Sequence, residues 1–115
     1  MARDERTYSE SEIAERLRGL PGWSYRDGAI RRTYTTDGWP STLMVVNAIG
    51  FGCEAASHHP DLTVSWSRVD VALNTHSAKG ITDKDFETAE LIQRTVLWNP
   101  PAGSALTGSP KPLAR

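Results

Sequence analysis

Trp23-Ser24-Tyr25-Arg26-Asp27-Gly28-Ala29-Ile30-Arg31-Arg32-Thr33-Tyr34-Thr35-Thr36 is the stretch from which the fold can be read. Two strand-like runs, one ending at Tyr25 and one over Ile30 to Thr36, flank Asp27-Gly28. Both central residues of a type I′ turn need positive φ, so Asp-Gly between such runs signals a β-hairpin. Upstream, Ser9-Glu10-Ser11-Glu12 reads as a capping box, with Ile13, Leu17 and Leu20 at helical spacing behind it. That predicts a helix over about 10–20, stopped by Pro21-Gly22. Downstream, Asp37-Gly38-Trp39-Pro40 forms a loop. Ser41 or Thr42 is placed to start a second helix that runs to Ala56 or Ser57. Leu43, Met44, Val46, Ile49 and Cys53 supply its core-facing side. Gly50 and Gly52, each costing about 1 kcal/mol against alanine, point to close helix packing.

Pro60 ends that helix, and Thr63 to Trp66 forms a short strand. Arg68 to Thr75 alternates: Val69, Val71 and Leu73 share one face, Arg68, Asp70 and Asn74 the other. Thr82-Asp83-Lys84-Asp85 is a second capping box, opening a third helix to about Leu97, with Ala89, Ile92 and Val96 as its apolar stripe. The element order is α-β-β-α-β-β-α. The class is α+β, a four-stranded antiparallel sheet with three helices on one face. The folded unit spans 9–98, between loose residues 1–8 and a Pro/Gly/Ser-rich tail, 99–115, expected to be disordered.

A chain of 115 residues is one domain, able to bury roughly two-thirds of its unfolded surface. Its 13 basic and 14 acidic residues leave a net charge of −1, which exerts no long-range pull on nucleic acid or an anionic membrane. Arg31-Arg32 is too small a cluster to track a phosphate backbone. A single cysteine, Cys53, excludes an internal disulfide and a thiolate-rich metal site. The polar start carries no secretory signal, and no apolar run approaches the ~20 residues of a membrane span. A cytoplasmic location is the expectation.

All three histidines fall close together, in Glu54-Ala55-Ala56-Ser57-His58-His59-Pro60 and in Thr75-His76. On a continuous helix Glu54 and His58 share a face, about 6 Å apart at Cβ. A neighbouring carboxylate there favours the imidazolium and fixes its tautomer. His58 also sits at the last helical turn, where the helix dipole favours a cation. His76 ends the alternating strand on the opposite parity from its valines. Taken singly the residues have bland readings. His59-Pro60 is a common helix exit, Asp85 is first a capping residue, and Trp66 and Thr75 serve packing or strand hydrogen bonding. Trp23, at a strand start, is often core.

Taken together, Glu54, His58, His59, Pro60, Trp66, His76 and Asp85 fall at the spacing of the pterin-4a-carbinolamine dehydratases, which the chain resembles over roughly 9–98. Gly22-Trp23, the Val69 to His76 run and Gly80-Ile81-Thr82 preceding Asp85 also match. The resemblance implies removal of water from 4a-hydroxytetrahydropterin to give quinonoid dihydropterin, recycling a tetrahydrobiopterin-type cofactor. It implies a pterin substrate, with no metal or redox cofactor. His58 and His76 are then the acid/base pair, and His59 lines the pocket as a third catalytic histidine. Glu54 orients or charges His58, and Trp23 walls the flat ring, with Ser57 and Pro60 beside it. Ser57 stands where the family often has aspartate. The resemblance further implies a homodimer or homotetramer, with sheets joined edge to edge and helices pairing again.

Two other readings remain open on the residues. Glu54, His58 and His76 match the composition of a two-histidine, one-carboxylate iron triad. Other members of this fold act as non-catalytic binding or assembly factors: a transcription-factor dimerisation cofactor, or a relative of carboxylase assembly chaperones. Assembly-type relatives typically lose part of the histidine pattern, and this chain keeps all of it.

Overall fold

A computed structural model describes residues 5–115 of the chain. Asp27 and Gly28 take φ of 50° and 75°, the left-handed values a type I′ turn demands. They join β1 (Ser24–Arg26) to β2 (Ala29–Thr35), with Arg26 opposite Ala29. β2 pairs with β4 (Arg68–Leu73), which pairs with β3 (Asp61–Ser65), giving an all-antiparallel sheet in the order β1-β2-β4-β3. β3 begins before the expected Thr63 and stops at Ser65, because Ser65 pairs with Arg68 and leaves Trp66-Ser67 as the turn.

Period-two alternation then sorts the faces. Ile30, Arg32 and Tyr34 stand opposite Leu73, Val71 and Val69, and the apolar members of these pairs are fully buried. On the other face Thr33 donates to the Asp70 carboxylate at 2.6 Å, and Arg31 and Arg68 meet solvent.

The three helices cover the first face, contributing Ile13, Val45, Ile49, Cys53, Phe86, Ala89 and Ile92 to one core. α1 (Glu10–Leu17) carries the predicted capping box between Ser9 and Glu12 and stops short of Leu20, which continues as a turn. α3 (Asp83–Val96) carries the second box, between Thr82 and Asp85. α2 (Trp39–Ala56) starts ahead of the expected Ser41 or Thr42, because Pro40 suits a first turn where its missing N–H costs nothing. Thr42 is instead buried, its hydroxyl shared among Gly38, Thr36 and the Trp66 carbonyl.

The buried stripe of α2 is Thr42, Val45, Ile49 and Cys53. Leu43 and Met44, expected on the core side, are 41% and 55% exposed, since they lie one step round the helix from that stripe. Gly52 faces Leu91 of α3, where an added Cβ would stand 3.5 Å from Cδ2. Gly50 faces open space, so close packing explains only one of the two glycines.

Both ends depart from expectation. Of the segment 1–8, residues 5–8 dock: the Tyr8 amide donates to the Ile81 carbonyl at 2.8 Å, its ring packs 5.0 Å from Phe86, and its hydroxyl bonds Asp83. Residues 1–4 lie outside the described residues. The tail folds back until Ala114 is buried and Arg115 exchanges two backbone hydrogen bonds with Thr35, at 2.9 and 3.0 Å. β1 pairs with β2 only as far as Arg31, so the free backbone edge at Thr35 supplies partners that composition alone does not reveal.

Cys53 is 1% exposed, and burial pushes its thiol up to about 11. The reactive thiolate is therefore scarce at neutral pH. Iodoacetamide at pH 8 should leave native Cys53 unmodified and label it fully once denaturant unfolds the chain, as read by mass spectrometry.

Candidate active site

The end of α2 sets up the site. Ser57 adopts the left-handed conformation at φ 56°, with its amide on the Glu54 carbonyl and the His58 amide on the Cys53 carbonyl, both at 3.1 Å. This is the hydrogen-bond pattern of a Schellman-type helix stop. Because the chain reverses at Ser57, His58 does not continue the helical spacing from Glu54. Its ring turns inward to the first turn of α3, where Nε2 meets Asp85 Oδ1 at 2.7 Å. His58 is 13% exposed and Asp85 wholly buried.

Asp85 does three things with one carboxylate. Its Oδ2 accepts from the Thr82 amide at 2.9 Å, closing the capping box, and from the Thr75 hydroxyl at 2.8 Å. The Thr75 and Thr82 hydroxyls also meet at 2.8 Å. Thr75 spends its proton on Asp85, so Thr82 donates to Thr75. With Oδ2 taken by two donors, Oδ1 is left to His58 Nε2. No buried side-chain polar atom among the described residues lacks a partner.

Glu54, expected to orient His58, instead meets His59, with Oε1 2.9 Å from Nε2. Both are exposed, at 77% and 63%, so the contact is a weak solvated pair. His76 opens a three-residue 3-10 turn, His76–Ala78, that follows β4. His58, His59 and His76 line a single cleft of about 250 Å³, with Ser57, Asn74, Thr75, Ser77 and Lys84 around them.

The tertiary fold thus gathers the three predicted histidines, Ser57 and Thr75. Pro60 begins the run into β3 and lies outside the lining. Trp23, expected to wall a flat ligand, is buried in the core, with its indole N–H on Gln93 Oε1 at 3.1 Å. Its side chain is taken up by the space between the sheet and α3, away from the cleft lining. Trp66 is 66% exposed; its ring shields Gly38, where an added Cβ would stand 3.2 Å from it.

Among the described residues no three His, Cys, Asp or Glu side chains gather as a metal site requires. The iron triad fails geometrically, because Glu54 and His58 face different partners. Asn74, Ser77 and Lys84 were not read from the sequence as cleft residues. Only their adjacency to Thr75, His76 and Asp85 could have marked them. None of the helices among the described residues is long and apolar enough to cross a membrane.

Comparison with known proteins bears on this cleft. The sequence model of the family described as pterin 4 alpha carbinolamine dehydratase matches residues 6–95. A putative pterin-4-alpha-carbinolamine dehydratase of Aquifex aeolicus is 43% identical over 91 residues, covering 79% of this chain and 92% of that one. One from Roseiflexus sp. is 43% identical over 84 residues, covering 73% and 90%. A crystal structure of a transcriptional coactivator/pterin dehydratase from Brucella melitensis superposes with a TM-score of 0.74 at 32% identity, over 78% of this chain and 98% of its own. With a match that spans the histidine cleft, both capping boxes and every strand, the chain belongs to the pterin 4 alpha carbinolamine dehydratase family.

Proposed function

We propose that the cleft dehydrates a 4a-hydroxytetrahydropterin to the quinonoid dihydropterin, recycling a tetrahydrobiopterin-type cofactor. The observation that carries this reading is the convergence of His58, His59 and His76 on one cleft, with His58 locked by buried Asp85. The reaction breaks the C4a–O bond, the departing oxygen takes a proton, and N5 gives one up, so water leaves and charge balances. Two imidazoles suit that exchange, since their unperturbed pKa of about 6.5 lets one give and another take a proton near neutrality. His58, held by Asp85, takes the N5 proton. His76, exposed on its turn, protonates the leaving oxygen. His59 borders the substrate and is held loosely by Glu54.

Dehydration of freshly generated 4a-hydroxytetrahydropterin, followed spectroscopically above its spontaneous background, tests this. Wild type should accelerate it, and His76→Ala and His58→Ala should each lose about 10²-fold or more in kcat. A folded wild type with no acceleration overturns the reading.

Asp85 supports the same chemistry at one remove. In Asp85→Asn one carboxylate oxygen becomes an amide donor, so either His58 or the Thr75/Thr82 pair loses its acceptor. Stability should fall by roughly 1–3 kcal/mol, the cost of an unmet buried hydrogen bond. The kcat should fall at least tenfold while KM changes little. Equal kcat in wild type and Asp85→Asn would remove Asp85 from the mechanism.

A partner-binding role, in place of catalysis or beside it, draws on the Brucella protein, whose description pairs a coactivator with a pterin dehydratase. We also assign a cytoplasmic location and a dimer or tetramer. Leu43, Met44 and Phe51, the last 81% exposed, leave an apolar stripe along the outer side of α2 that favours self-association. Sedimentation at micromolar concentration should return a dimer or larger; a stable monomer overturns the assembly.

A further inference from the structure

We infer that Glu5 is a positioning residue for His76: its carboxylate ties the turn that carries His76 to the first turn of α3, where Asp85 already holds His58. The Ser77 hydroxyl lies 2.9 Å from Glu5 Oε1 and 2.7 Å from Oε2, and Lys84 Nζ lies 2.8 Å from Oε1. Ser77 follows His76 directly, and Lys84 precedes Asp85. Both Ser77 and Lys84 also line the histidine cleft.

The turn itself is weakly built. It is three residues long, Thr75 offers it no side-chain cap, and Lys79 ends it in the left-handed region at φ 57°. Short 3-10 turns have poor hydrogen-bond geometry and few internal restraints. It is held at its ends by the backbone bridge between Thr75 and Gly80 and by the Thr75 hydroxyl on Asp85, while Glu5 holds Ser77 within the turn.

Glu5 is delivered to this place by the residues that follow it. Thr7 packs on Gly80 so closely that a Cβ there would stand 3.0 Å from its methyl group. The Tyr8 amide bonds the Ile81 carbonyl, and the Tyr8 ring lies on Phe86. The segment thus runs alongside the stretch from His76 to Asp85, and its carboxylate bridges the two ends. The bond from Lys84, then that from Ser77, hold the Glu5 carboxyl below its ordinary range, so it is ionised at neutral pH.

This inference rests on the dehydratase reading for its kinetic consequence but not for its structural one. The test therefore measures both in the full chain: kcat and KM for 4a-hydroxytetrahydropterin, and backbone amide exchange with imidazole NMR signals. The variants are Glu5→Ala, Glu5→Gln and Arg6→Ala. Arg6 belongs to the same segment but pairs with Glu12, away from the turn.

Glu5→Ala should lower kcat by about three- to tenfold through misplacement of a reacting group, with KM within twofold. Amide exchange at Ser77 to Lys79 should quicken, and the His76 ring signal should move while that of His59 stays. Glu5→Gln, which keeps an oxygen for Ser77, should fall between Glu5→Ala and wild type. Unchanged kcat, exchange and His76 signal in Glu5→Ala would overturn the inference, as would an equal loss in Arg6→Ala. If wild type itself gives no acceleration, the dehydratase reading fails separately, and the exchange and ring signals still decide whether Glu5 positions His76.

Discussion

Everything in the cleft depends on one buried carboxylate. Asp85 caps α3 through the Thr82 amide, receives the Thr75 hydroxyl from just beyond the end of β4, and holds His58 from just beyond the end of α2. A fully buried carboxylate is costly to desolvate unless its oxygens are met by donors. Here three donors converge on it, and each comes from a different element. The requirement to satisfy one buried carboxyl group thereby fixes the meeting point of α2, β4 and α3, and the histidines ride on two of those three chain ends.

That arrangement lets a small domain hold the cleft histidines in place. His58 is held from the core side by Asp85 and lines the cleft. His59, its neighbour, borders the same cleft but is mostly exposed and meets Glu54. Adjacent histidines thus acquire different environments from a single backbone turn.

The opposite face of the sheet shows a different physical regime. Arg31, Thr33, Arg68 and Asp70 form a polar surface without helices over it. Its edge is managed by short strands and by the tail, whose Arg115 pairs with Thr35 where β1 no longer reaches. Open backbone edges invite pairing with other chains, and covering them is a common remedy.

Local chemistry was legible in the sequence wherever a few adjacent residues decide it. Asp27-Gly28 must turn, Ser9/Glu12 and Thr82/Asp85 must cap, and the alternation from Val69 to Leu73 must bury one face; the element order and the α+β class follow from these. The histidine spacing likewise pointed to the family and to the three cleft histidines. What the sequence could not settle was which partner each group meets across space. Asp85 looked complete as a cap, Glu54 looked paired with His58, Trp23 looked free to line the cleft, and residues 5–8 looked loose. Each was decided by packing between elements far apart in the chain, where a buried charge or ring takes whichever partner the assembled core leaves within hydrogen-bonding reach. Sequence spacing carries no measure of that reach.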